Sequence, residues 1–316
     1  MLHLSLRSTA GQRVDAGLIA GSAPRAATAF SKGHLTLSVL RALAGLFGRG
    51  NPSRAFGHGV YLSPAWSDGA SRHQYAPFFA QMRRLSAYKL LFDCGEAADD
   101  GAVRFSRAGE DFVTEAERWG REQKHPFACT AWVRLTSPDG QCRVLSPAFV
   151  RNLTYSLRFF QMFSAVMIDP GVEPPEEDGA LLELVRAVRR ECPAQALGVR
   201  LRVPWLDRRA LVRGLTETCA DIEVSLQGAS QSSVKYAQWC ERSTKAAMEL
   251  VGAKALLLGL PATSLDSGPP ESLESALRGV RRGMEAYAPE RVRVLLYREG
   301  LASDADWKIF ARDWLS

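Results

Sequence analysis

The feature that most constrains this chain is a regular alternation of short aliphatic runs with longer segments of helical apolar spacing, which begins near Gly57 and continues to the end. Strand-like runs occupy 59–64, 88–93, 126–133, 164–169, 196–203, 220–226, 254–260 and 291–297. Each is followed by an amphipathic pattern, from Tyr75/Phe78/Phe79/Met82/Leu85 after the first to Trp307/Phe310/Ala311/Trp314 after the last. Strands that alternate with helices pair in parallel, because the helix is the crossover that carries the chain back to the start of the next strand. Eight such units between 56 and 316 suit a (β/α)8 barrel, whose usual size is ~250 residues. The expected fold is therefore α/β, a (β/α)8 TIM barrel over 56–316. Residues 1–55, rich in Ala, Gly, Ser and Arg with one amphipathic stretch at 34–48, read as an N-terminal extension. The alternative, a doubly wound open sheet, lacks its phosphate fingerprint: the turn after the first strand reads Ser63-Pro64-Ala65-Trp66, not G-x-G-x-x-G.

Composition narrows the class. With 316 residues and 46% of them hydrophobic, the chain can bury a sizeable core. No run of eighteen apolar residues occurs, and the longest candidate, Leu35 to Phe47, is broken by Arg41, so no membrane span is expected. The net charge of +6 comes from arginines interleaved with Asp and Glu and not from one basic tract. Nucleic acid is therefore not an expected partner. Six cysteines lie scattered with no C-x-x-C, and the five histidines fall mainly away from the strand ends, so neither a metal site nor a cofactor is expected. The opening MLHLSLRSTAGQRVDAG lacks the basic end, apolar stretch and small-residue cleavage site of an export signal. Together with the scattered thiols it suggests a cytoplasmic location.

In a barrel of this kind the reactive groups stand where the strands end. Alternation sends Val199, Leu201 and Val203 towards the helices and Arg200 and Arg202 inward, and likewise Ile222, Val224 and Leu226 outward and Asp221, Glu223 and Ser225 inward. Unpaired charge there would cost several kcal/mol, so ion pairing is expected. The same reasoning puts Asp93, Trp132, Arg134, Asp169 and Tyr297 at strand ends, with Glu299 just beyond. Asp169-Pro170-Gly171-Val172-Glu173 holds two carboxylates on a stiff turn. A general acid and a second carboxylate flanking a bond is what glycoside hydrolysis requires. Trp66, Trp132, Trp205 and Tyr297 follow or end four strands, and four rings about one mouth would stack a sugar. Arg134, Arg202 and Arg298 gather near the same mouth, either as partners for neighbouring carboxylates, the favoured reading, or as a site for an anionic ligand.

From Gly57 to Leu315 the chain resembles the chitinase-like, family-18-like glycoside hydrolases, most visibly in the strand-4 Asp169-x-x-x-Glu173-Pro174 turn and the strand-8 ending Tyr297-Arg298-Glu299-Gly300. That family's strand-4 motif runs Asp-x-x-Asp-x-Asp-x-Glu. The resemblance implies Glu173 as proton donor and Asp169 as the carboxylate that assists the substrate's own acetamido group. Asp93, Glu223 and Glu299 would orient ligand or tune pKa, Arg202 would contact it, and Trp66, Trp132, Trp205 and Tyr297 would stack it. This chain separates its two acids by three residues where the family has one. The alternative is a barrel that has kept the shape and lost the catalysis, serving as a binding or scaffold protein with a protein partner.

Overall fold

The computed structural model describes residues 58–62, 66, 72–104, 107–136, 142–172, 178–227, 232–261, 271–287, 292–296 and 304–315. Eight strands close into one barrel in sequence order: β1 (His58–Tyr61), β2 (Ala87–Glu96), β3 (Ala128–Arg134), β4 (Ala165–Asp169), β5 (Ala196–Arg202), β6 (Asp221–Ser225), β7 (Leu256–Leu260) and β8 (Arg293–Leu296). Every neighbouring pair is parallel, and β8 closes on β1 through Gly59↔Leu295 and Val60↔Leu296. The outer layer holds, among the described residues, α1 (Tyr75–Arg84), α2 (Arg107–Glu122), α3 (Pro147–Leu157), α4 (Asp178–Glu191), α5 (Arg209–Thr218), α6 (Ser233–Val251), α7 (Leu273–Met284) and α8 (Asp304–Trp314). The barrel expected from the alternation is thus the fold observed. None of the described helices is long and apolar enough to cross a membrane.

Local signals account for the boundaries. Ser146 caps α3, its hydroxyl accepting from the Phe149 N–H at 3.2 Å, with Pro147 at the first helical position where its missing N–H costs nothing. Ser272 caps α7 in the same way through the Ser275 N–H. β2 runs past the expected end at Asp93 because Gly95, at φ +87°, takes a left-handed conformation while its N–H donates to Asp93 Oδ1 at 2.8 Å. That irregularity shifts the register and returns Glu96 to pair with Arg134. At the other end of the chain α8 is tied back to β1: the Trp314 indole N–H donates to His58 Nδ1 at 3.3 Å, and the Phe310 ring meets the imidazole edge-on at 5.6 Å.

The apolar residues form two separate clusters. The large one lies between sheet and helices, where Leu197, Val199 and Leu201 of β5 and Ile222 and Val224 of β6 meet residues such as Leu184 and Leu215. The small one fills the barrel itself and consists of Tyr61, Leu91, Trp132, Met167, Leu257 and Leu295. The interior is a packed core, as period-two alternation requires when one face of every strand points inward.

Candidate functional site

Ionisable side chains fill both ends of that interior. At the N-terminal end, Lys89 of β2 and Arg293 of β8 both pair with Asp221 of β6, the Arg293 contact at 2.9 Å. All three are almost wholly buried. Burial drives the Lys89 ammonium below its ordinary pKa, with Asp221 opposing. For Asp221 burial acts upward, but Lys89 and Arg293 outweigh it and hold the carboxyl below the usual range.

At the C-terminal end the centre is Arg200 of β5, side chain 1% exposed. Its guanidinium reaches Asp169 at 3.2 Å, Glu223 at 3.3 Å, the Ser225 hydroxyl at 3.2 Å and Gln227 Oε1 at 3.4 Å. It also lies over the Tyr61 and Trp132 rings, 5.0 and 5.6 Å from their centroids. The Tyr61 hydroxyl donates to Glu223 Oε2. Asp169 accepts from the Trp132 indole N–H at 3.3 Å and, on its other oxygen, from the Gly171 N–H at 3.1 Å. Glu223 is completely buried, and burial raises its pKa against the opposing pull of Arg200 and the Tyr61 hydrogen bond. The Tyr61 hydroxyl is pushed well above its ordinary value by burial and by Glu223. Room for the glutamate comes from Gly259 of β7, where a Cβ would land on Glu223 Oε1.

Around this floor stand two partly exposed arginines. Arg134, at the end of β3, pairs with Asp93 at 2.7 Å and Glu96 at 3.4 Å and covers the Trp132 ring at 5.0 Å. Arg202, at the end of β5, approaches Asp169 only to 3.8 Å, with its side chain 21% exposed.

Of the residues expected at the mouth, Asp169, Trp132, Arg202 and Glu223 come together in this network, and Asp93 joins it through Arg134. Trp66 and Trp205 do not join the floor. Trp66 packs among Tyr75, Phe78 and Phe112 in the sheet–helix core. Trp205 lies in the short 3-10 helix Val203–Asp207, which turns the indole under, and its N–H donates to the Val172 carbonyl at 3.0 Å so that it braces the loop after β4. Glu173, Tyr297, Arg298 and Glu299 lie outside the described residues. Tyr61, Lys89 and Arg293 went unnoticed in the sequence. Alternation carried the signal for each, since Lys89 shares a face with Leu91 and Asp93, Arg293 with Leu295, and Tyr61 with Gly59. No cluster of metal-ligating side chains occurs among the described residues.

The barrel has solved counterparts. A chitinase from Chromobacterium violaceum ATCC 12472 superposes with a TM-score of 0.59 at 15% identity, over 83% of this chain and 100% of the other. The fold is that of the chitinase-like glycoside hydrolase barrels. The Bacillus cereus spore cortex-lytic enzyme SleL matches with a TM-score of 0.56 at 10% identity, over 82% of this chain and 74% of its own. The glycoside hydrolase domain of PgaB (BpsB) from Bordetella bronchiseptica gives 0.54 at 11% identity, over 80% and 95%. No protein-family model matches the chain, and no curated protein matches its sequence. Against that shared fold, β4 departs from the motif quoted above. Acids at every second position would put three carboxylates on the inner face, whereas β4 turns Ala165, Met167 and Asp169 inward.

Proposed function

We propose that the protein binds a saccharide at the C-terminal mouth of the barrel and that the two-carboxylate hydrolytic pair has been lost from its floor. The observation that carries this reading is the network around Arg200, which engages both floor carboxylates. Glycoside hydrolysis by the two-carboxylate route needs two carboxyl groups facing the scissile bond from opposite sides. The substrate-assisted route still needs one that is free to give up a proton and one free to assist the acetamido group. Here Glu223 has no exposed surface and serves Tyr61 and Arg200, while Asp169, 2% exposed, has both oxygens engaged by the Trp132 and Gly171 N–H groups and the Arg200 guanidinium. The saccharide side of the proposal is supported by the fold shared with a chitinase, a cortex-lytic enzyme and a glycoside hydrolase domain. In such barrels ligands enter at the C-terminal ends of the strands. The partly exposed polar groups on the β2–β3 side there, Arg134 with Asp93 and Glu96, supply hydrogen-bonding partners for hydroxyls. We further assign the protein to a reducing compartment, on the ground that all six cysteines are free thiols, and residues 1–55 to an extension that precedes the barrel.

The test is a panel of oligosaccharides and chromogenic glycosides read by calorimetry and by release of chromophore, with wild type, Asp169→Asn and Glu173→Gln in parallel. Saturable binding without turnover in all three is the expected result. Turnover by wild type that Glu173→Gln abolishes would overturn the non-catalytic reading and make Glu173 the proton donor.

A further inference from the structure

Charge at the mouth is unevenly distributed. On the β2–β3 side, Arg134 is held between Asp93 and Glu96, so acids outnumber the base. On the β4–β5 side the order is reversed among the described residues. Asp169 already receives the Trp132 and Gly171 N–H groups and the Arg200 guanidinium within hydrogen-bonding distance. Arg202 is left 3.8 Å from the same carboxylate, beyond hydrogen-bonding reach, and makes no hydrogen bond among the described residues. Burial also disfavours the charged form of Glu223, the other acid on this floor, which weakens what could balance a second guanidinium. A guanidinium whose nearest described acid is already hydrogen-bonded by other groups, at the boundary between a buried floor and the open mouth, is poised for an anion from solution.

We infer that the saccharide bound at the mouth carries carboxylate groups, as hexuronate units do, and that Arg202 receives one of them. The inference rests on the saccharide reading above and names the substrate class within it. Arginine suits the task because its planar fork matches a carboxylate in two parallel hydrogen bonds, which a lysine ammonium does not reproduce. The floor beneath stabilises the arrangement: Arg200 neutralises Asp169, so an incoming carboxylate meets the Arg202 charge without an equal opposing charge behind it. The acid-rich side of the mouth gives the ligand an orientation, since Asp93 and Glu96 accept from sugar hydroxyls and repel a second carboxylate. A neutral sugar would use that side alone and leave Arg202 unsatisfied.

The experiment compares oligogalacturonates with their methyl esters, which differ in charge and hardly in shape, by calorimetry at low and moderate salt. The wild type should bind the acids at least tenfold more tightly than the esters, with the preference shrinking as salt rises. Arg202→Gln should erase the preference while leaving ester binding and the melting temperature unchanged, and Arg202→Lys should restore only part of it. Acids and esters bound equally well, or an acid preference intact in Arg202→Gln, would overturn the inference while leaving saccharide binding standing. Failure to bind these and neutral chito-oligosaccharides alike would overturn both.

Discussion

Asp221 is one carboxylate serving two buried cations, and that asymmetry fixes the order in which substitutions should hurt. Asp221→Asn keeps the shape but takes from Lys89 and Arg293 the carboxylate they share in a sealed space. Removing one partner of a buried pair costs about 3–5 kcal/mol, which in a chain of this size corresponds to a fall in Tm of roughly 6–20 °C. Lys89→Met removes the other member of the same contact, yet Asp221 keeps Arg293 at 2.9 Å, and the thioether chain fills the space of the lysine stem. The lost charge-assisted hydrogen bond is offset by no longer desolvating an ammonium, for a net change of about 0–2 kcal/mol. The two variants separate further with pH. Because the folded state depresses the Lys89 pKa, wild-type stability should climb as pH rises through that lowered value towards the ordinary 10.5, and Lys89→Met should lack the rise. Urea unfolding followed by circular dichroism at pH 7 and pH 9 provides both readouts. Equal destabilisation by the two substitutions, or a larger loss in Lys89→Met, would refute the charge count.

Three further outcomes follow from named contacts. Glu223 has a folded pKa raised from 4.5, so the stability it contributes is complete below that value and disappears as pH rises through the folded one; the urea midpoint of the wild type should increase from pH 8 towards pH 5, and Glu223→Gln should flatten that slope. Gly259→Ala should lower stability by about 1–3 kcal/mol in thermal melts, because its methyl meets a glutamate that has nowhere to move; a neutral result would mean that the strand shifts to accommodate it. His58→Leu leaves the Trp314 and Val294 N–H groups without their shared acceptor, at 3.3 and 3.4 Å, and should cost about 1–2 kcal/mol. Faster hydrogen exchange confined to α8 would mark the loss as local, and unchanged exchange there would remove the tether from the account.

How much of this was readable in advance depended on what shared a strand with what. β5 and β6 announced their inner faces because charged residues alternate with aliphatic ones, so Arg200 beside Glu223 could be inferred from sequence and is found at 3.3 Å. The pairing of Asp221 was not inferable: its partners stand on β2 and β8, and only closure of the barrel brings strands so distant in sequence across one interior. The tryptophans show a different limit. Alternation orients a side chain within a strand, as for Trp132, but Trp66 and Trp205 follow their strands, where the turn decides the direction. At Trp205 a 3-10 turn carries the ring into the core. The strand-4 departure was legible in the sequence, since Ala165 to Met167 carry no acid, and the two-residue period puts Ala165 and Met167 on the inner face where an alternating acidic motif would place carboxylates.

The charged floor itself needs a reason other than stability. Barrel interiors are ordinarily filled by layers of Val, Ile and Leu, and replacing a buried ion-pair network by well-packed apolar residues is often neutral or stabilising by about 1–4 kcal/mol. A fold that merely needed filling would gain nothing from Asp169, Arg200, Glu223 and Tyr61. Of the two charged layers, the lower is sealed, whereas the upper reaches the mouth through Gln227 and Arg202. The combined substitution Tyr61→Phe, Asp169→Leu, Arg200→Met, Glu223→Leu converts the upper layer to hydrocarbon without leaving one of these four groups unpaired. Because the Trp132 and Gly171 N–H groups lose their acceptor while the desolvation of four polar groups is relieved, it should melt close to the wild-type temperature. Saccharide binding at the mouth should fall at least tenfold because the Arg202 guanidinium loses the fixed charges that position it. Binding retained on an apolar floor would show that the network fills space and that recognition belongs to the rim alone.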